Sequence, residues 1–132
     1  MVRFVVGTNG VETSDRLVEY LSGRVTPDDE VYVVNSQKGG DATRGDDVRG
    51  GTEALERFET GLECSVATHQ FVRGNSPAED LLSAAHEYEA DELVIGIRKR
   101  NPTGKIIFGS TAQDLLLSTE RPVVAVPLTD GR

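Results

Sequence analysis

The sequence predicts an α/β protein built on a doubly wound parallel sheet, and three observations carry that prediction. Apolar, largely β-branched residues come in five short runs, longer stretches of helical period separate them, and glycines and prolines fall at the junctions. Strands that alternate with helices in this way are joined by right-handed crossovers and lie parallel.

The first run, Phe4-Val5-Val6, stops at Gly7-Thr8-Asn9-Gly10. A helix is expected from about Ser14, with Leu17, Val18 and Leu21 on one face and Gly23 near its end. Val31 to Val34 form the second strand. The polar stretch from Gln37 to Gly51, where Gly39, Gly40, Gly45 and Gly50 stand among Asp and Arg residues, is expected to be a mobile loop. The pattern resumes at once with Leu55, Phe58 and Leu62 at helical spacing, so this loop is no domain boundary. Cys64 to Phe71 form a third strand, less apolar than the others and therefore nearer an edge. Ser76-Pro77-Ala78-Glu79 is a capping box with proline at the first helical position, followed by Ala78, Leu81, Ala85 and Tyr88 on one face. Leu93-Val94-Ile95-Gly96 is a continuous apolar run of the kind buried on both sides of a parallel sheet. Ser110-Thr111-Ala112-Gln113 repeats the capping logic before Leu115-Leu116-Leu117, and Val123 to Val126, between Pro122 and Pro127, form the last strand. Prolines are tolerated at sheet edges, and an edge this apolar needs cover. The simplest cover is the same strand of a second copy, so a homodimer through Val123–Val126 is expected.

A length of 132 residues suits one domain spanning the chain, with 37% hydrophobic and 27% charged residues, as in a soluble globular protein. The 14 Lys and Arg against 22 Asp and Glu give a net charge of −8, which excludes a general nucleic-acid footprint made by neutralising phosphates. Only 3 of those 14 cations are Lys; arginine-rich, acid-rich composition suits either a salt-rich cytoplasm or an ordinary acidic protein. The single cysteine, Cys64, cannot form an internal disulfide, and with His69 and His86 far apart no zinc cluster is expected. His69 in a strand and His86 on a helix are read as structural or solvent-facing. No stretch approaches membrane-spanning length and the start of the chain carries no charged, apolar leader, so a cytoplasmic location is expected.

In open parallel sheets ligands bind outside the carboxyl ends of strands, where neighbouring connections leave for opposite faces. Two strand ends here are rich in small residues: Gly7-Thr8-Asn9-Gly10, and the segment from Gly96 to Gly109-Ser110-Thr111. Glycine lets a backbone approach an anion, and the first amides of a helix have no internal partners. Charge points the same way. From Leu93 to Ala112 there are four cations, Arg98, Lys99, Arg100 and Lys105, and no acid. The rest of the chain then holds 10 cations against 22 acids, so +4 in one loop stands against −12 elsewhere. A pairing of these cations with surrounding carboxylates, or a solvated face, is the alternative. Other motifs fail. Thr103-Gly104-Lys105 is followed by Ile106 where a P-loop needs Ser or Thr, no G-x-G-x-x-G follows the first strand, and no G-x-S-x-G is present. Carboxylate pairs such as Asp28-Asp29 and Asp46-Asp47 carry no catalytic meaning in so acidic a chain, and no general base and nucleophile are assembled.

At this point the sequence resembles the universal stress protein family over essentially the whole chain. The family's nucleotide motif, G-x2-G-x9-G-[ST], is matched by Gly96 and by Gly109-Ser110, with Lys99 where the second glycine belongs. Gly74 to Ala90, leading into Asp91-Glu92-Leu93-Val94-Ile95-Gly96, and the closing Pro122-Val123-Val124-Ala125-Val126 also resemble it. The resemblance implies strand order 3-2-1-4-5, which sets Gly7, Thr8 and Asn9 beside Gly96 and the basic loop with Arg98 and Lys99, and dimerisation through the last strand. It further implies ATP, AMP or ADP across that switch point, with or without Mg2+. Gly96, Gly109, Ser110 and Thr111 would meet phosphate, and Thr8 and Asn35 would lie near the adenosine. Two departures stand out: Gly7 occupies a place usually acidic in ATP-binding members, and Lys99 adds both bulk and positive charge. Three functions follow in order of preference. The first is a dimeric stress-response protein that binds adenine nucleotide and acts on unidentified protein clients. The second is a dimeric interaction module that binds no nucleotide, and the third is a slow ATPase.

Overall fold

The computed structural model describes residues 1–37, 45–72, 76–97 and 109–128. In chain order they form β1 (Arg3–Gly7), α1 (Val11–Ser22), β2 (Glu30–Gln37), α2 (Gly45–Gly61), β3 (Ser65–Val72), α3 (Pro77–Tyr88), β4 (Glu92–Ile97), α4 (Ser110–Ser118) and β5 (Val123–Pro127). The five strands make one parallel sheet in the order β3-β2-β1-β4-β5. This is the expected doubly wound architecture, with the less apolar β3 at one edge and β5 at the other.

Alternation along the strands divides the core into two layers. Phe4, Val6, Val31 and Val33 face α1 and α2, where they pack on Leu17, Leu21, Leu55, Phe58 and Leu62. Val5, Tyr32, Val34, Leu93 and Ile95 face α3 and α4, against Leu81, Ala84, Ala85 and Leu115. Because β1 and β4 are covered on both sides, they read as continuous apolar runs; of the two edges, β3 alternates and β5 does not.

Four sequence expectations change. The stretch expected to be a loop from Gln37 to Gly51 is helical from Gly45 onward, and residues 38–44 lie outside the described residues. The reason lies at Gly51, where α2 crosses the ends of β2 and β3. A Cβ there would stand 2.0 Å from Gln70 Nε2 and 2.4 Å from Asn35 Oδ1, so glycine at this point serves close packing rather than chain mobility. Helix α1 begins at Val11 instead of near Ser14, because Ser14 N–H already donates to Gly10 O (3.0 Å) and its hydroxyl is buried against Thr8. Helix α4 is capped by Gly109 with no side-chain bond, so Ser110 is its first residue and not its cap. Tyr88 ends α3 38% exposed, but its ring stacks on Tyr32 with centroids 3.9 Å apart. By contrast the capping box of α3 forms as expected: Glu79 N–H donates to Ser76 Oγ (3.1 Å) and Ser76 N–H to Glu79 Oε1 (2.9 Å).

The amino end of the sheet is closed by carboxylates. Asp29 accepts from Val2 N–H and Thr26 N–H, each at 2.8 Å, and Asp91 accepts from Arg3 N–H at 2.8 Å. The two backbone donors hold the Asp29 carboxyl below its ordinary range. Cys64 is half-buried, and burial with the nearby Asp29 charge pushes its thiol up, away from reactivity.

Candidate functional site

The strand order puts β2 and β4 on opposite sides of β1, and the chain leaves β1 and β4 towards opposite faces of the sheet. A cleft of about 140 Å³ opens at the carboxyl ends of these strands, the place where open α/β sheets bind ligands.

One wall is the turn from β1 into α1, held by its own side chains. Thr8 N–H extends the β1–β2 pairing by donating to Val34 O (3.0 Å). Thr8 Oγ1 donates to Gly10 O (3.0 Å) and lies 2.7 Å from Ser14 Oγ; a hydroxyl has one proton, so Ser14 supplies the second. Thr13 Oγ1 donates to Asn9 Oδ1 at 2.6 Å. Asn9 is exposed on the rim, with its carbonyl engaged in this way. The expected residues Gly7, Thr8 and Asn9 therefore line the cleft in a turn that is already ordered.

The floor is β4. Gly96 lines it and is also the point where Leu128, just past β5, closes over the strand: a Cβ at Gly96 would stand 2.7 Å from Leu128 Cδ2. Leu128 N–H continues the β4–β5 pairing to Ile97 O (2.7 Å). The apolar side is made by Val34, Leu81, Ile95 and Leu128, with Pro77 from the first turn of α3. Gly7 belongs to the same packing, since a Cβ there would meet Leu81 Cδ1 at 2.8 Å. A side chain of any kind at position 7, acidic or not, requires Leu81 to move.

The third side is the start of α4. Thr111 and Ala112 line the cleft, and Gly109 is the exposed cap residue before them. No acidic residue occupies the first turn, and among the described residues no side chain caps it. The opening amides of a helix carry partial positive charge and lack internal acceptors, so this terminus suits an anion. Of the predicted residues here Thr111 lines the cleft, Gly109 and Ser110 precede it in the chain without being among the lining residues, and Arg98 and Lys99 lie outside the described residues.

Asn35 sits differently from its neighbours in the prediction. It is 1% exposed and is not among the residues lining the cleft. Alternation turns it to the α2 face, and its Nδ2 donates to Thr8 O at 3.0 Å. It braces the β1 turn from behind. The neighbouring Ser36, which sequence reading passes over, lines the cleft instead, and its Oγ donates a short hydrogen bond to the fully buried carboxylate of Asp80 in α3. With buried apolar residues at both Val33 and Val34, period-two reading cannot tell which of Asn35 and Ser36 faces the ligand side. Thr13 and Leu128 are also missed; the one lies in a helix turn and the other after the last strand, where no motif marks them.

His69 and His86 are both exposed, consistent with solvent-facing roles. Among the described residues no three His, Cys, Asp or Glu side chains gather as a metal site.

Comparison with known proteins places this geometry. A family model for the universal stress protein family matches residues 1–127. A universal stress protein of Mycolicibacterium smegmatis is 53% identical over 53 residues, a match covering 40% of this chain and 41% of that protein. A universal stress protein structure from Archaeoglobus fulgidus superimposes with a TM-score of 0.70 at 33% identity, covering 96% of this chain and 98% of the other. A second structure of the universal stress protein from the same organism, in complex with dAMP, gives 0.64 at 28% identity over 96% and 98% of the two chains. By the extent of the family match and the sequence shared over the whole fold, this chain belongs to the universal stress protein family.

Proposed function

We propose that this protein binds an adenine nucleotide in the cleft between β1 and β4 and acts as a dimeric regulator or interaction module in the cytoplasm, without turnover. One observation carries the proposal: a single cleft joins an apolar wall, Val34, Leu81 and Ile95, to a helix start in α4 that has no acidic first turn and, among the described residues, no side-chain cap. A flat base suits the first and a phosphate the second. The Archaeoglobus fulgidus relative solved with dAMP supports the same ligand class.

In this reading Gly7, Thr8, Asn9 and Gly96 flank the nucleoside, the amides after Gly109 and the Thr111 hydroxyl hold phosphate, and Asn35 acts through Thr8. Arg98 and Lys99, which follow β4 in the sequence and lie outside the described residues, would add positive charge to the phosphate end. ATP, ADP and AMP all present these groups, and a Mg2+ ion would enter on the phosphates of the larger two.

The test is calorimetry with ATP and AMP, with and without Mg2+, alongside thermal unfolding. Nucleotide at ten times its Kd should add about 1.4 kcal/mol of stability and raise the midpoint by several degrees. No heat and no shift at millimolar nucleotide would refute nucleotide binding and leave the interaction module as the surviving reading.

Dimerisation through β5 is proposed on a separate observation. The strand is the outermost of the sheet and mostly half-buried, and the helix leading into it exposes Leu116 and Leu117, the latter by 78%. Sedimentation at micromolar concentration should return a dimer of 14.3 kDa chains. A monomeric mass at physiological salt counts against it.

A further inference from the structure

Resting on the nucleotide reading above, we propose that Leu128 gates the cleft: in the free protein its side chain fills the space over Gly96, and a nucleotide enters only as that side chain swings away. The cleft measures about 140 Å³, whereas sites that enclose small molecules run from roughly 300 to 1,000 Å³. A nucleoside that touches both the β1 turn and the β4 floor therefore needs room that one of the walls now takes up. Most of the walls are fixed. Val34 and Ile95 are buried in β2 and β4, Leu81 is buried in α3, and Pro77 stands inside the α3 capping box. Thr8, Asn9 and Thr13 are tied into the hydrogen bonds of the β1 turn.

Leu128 differs from all of these. It lies past the end of β5 and is only half-buried. A Cβ at Gly96 would stand 2.7 Å from its Cδ2, 2.9 Å from its Cγ and 3.0 Å from its Cδ1, so the leucine occupies the place that the missing side chain leaves open. Glycine at a strand end clears space for a ligand, and here the chain fills that space with a side chain of its own. The main chain on either side of the peptide bond is anchored: Leu128 N–H donates to Ile97 O at 2.7 Å, and Pro127 O accepts from Arg16 Nε of α1 at 3.1 Å. A half-buried side chain on an anchored backbone changes rotamer without unfolding anything around it. Rotation out of the cleft exposes apolar surface, which favours the closed position while no ligand is present. A nucleotide has to offset that preference, and its apparent affinity is the intrinsic one reduced by the fraction of molecules that are open.

The experiment is calorimetric titration of the full chain with AMP for wild type, Leu128→Ala and Leu128→Met, with the nuclear Overhauser contact between the Leu128 methyls and the Gly96 Hα protons followed in wild type. Leu128→Ala, which removes the competitor, should bind AMP at least about fivefold more tightly than wild type. Leu128→Met keeps the bulk and should stay within about twofold of it. The methyl contact should be present in the free protein and vanish at saturating AMP. Unchanged or weaker binding by Leu128→Ala would overturn the proposal, because a wall that serves the ligand is missed when it is cut away. A methyl contact that persists with AMP bound would overturn it as well, and this measurement needs no variant to fold. AMP binding by Leu128→Ala with none by wild type would support the gate in its strongest form. Binding by neither at millimolar concentration would instead refute the nucleotide reading on which the gate rests.

Discussion

Helices α3 and α4 lie on the same face of the sheet and both begin beside the cleft, yet their first turns are built in opposite ways. The start of α3 satisfies itself: Ser76 and Glu79 exchange capping bonds, Pro77 removes one orphan donor, and Glu79 and Asp80 put negative charge at the positive end of the helix. The start of α4 has Gly109 as cap, no acid in its first turn and, among the described residues, no side-chain capping bond. In a chain of net charge −8, a helix start without acids is a departure from the surrounding composition. The difference separates two jobs. The first turn of α3 stabilises the fold, whereas the start of α4 has no capping side chain among the described residues, which is why the proposed phosphate site is placed there.

Substitutions that erase this difference should have effects of graded size. The largest is expected from Gly96→Val in the floor between the two helix starts. Its added atoms collide with Leu128, so stability should fall by about 1–3 kcal/mol, and nucleotide binding should be lost as the cleft closes. Denaturant unfolding and calorimetry measure the two effects. Next is Thr111→Asp, which gives α4 the acidic first turn that α3 already has. The helix should gain about 0.3–1 kcal/mol from the dipole, while phosphate affinity should fall at least about tenfold through like-charge repulsion. A variant that unfolds later and binds worse is the signature of a terminus reserved for an anion.

Ser76→Ala applies the converse change to α3. Loss of the capping box should cost about 1 kcal/mol of stability and leave nucleotide affinity unchanged. The smallest effect is far from both helices, at the closed amino end of the sheet. Asp29 has its carboxyl lowered by the Val2 and Thr26 amides, so the unfolded chain binds its proton more readily than the folded one. The stability it contributes is present above about pH 4 and is lost as pH falls through the lowered folded value. Asp29→Asn should therefore flatten the acid side of the stability curve and leave neutral-pH nucleotide binding alone, as unfolding midpoints across pH 2.5–6 would show.

The sheet was legible because its strands announce themselves. Val5, Val6, Leu93 and Val94 are buried on both faces and give unbroken apolar runs, and the α3 capping box specifies a local geometry that needs no tertiary context. Two other signals misled for physical reasons. Glycine near 50 marks a loop in isolation, but at Gly51 it is what lets α2 lie against Asn35 and Gln70, a long-range fact that no local pattern contains. Ser110 resembled a cap because serine followed by polar residues commonly is one, yet the helix begins a residue earlier on Gly109. In the cleft, Gly7, Thr8, Asn9, Gly96 and Thr111 were reachable from strand-end logic. Asn35 and Ser36 were not separable, because only the sheet's facing decides which of two adjacent polar residues looks into the cleft and which braces the turn behind it.

A nucleotide bound as proposed puts its phosphate on the backbone donors at the α4 start and its base towards β2. Crystals grown with AMP test it most directly. Phosphate density is expected against the backbone amides that follow Gly109, and base density between Val34, Ser36 and Leu81. Density on another surface, or a cleft left empty at saturating AMP, would contradict it.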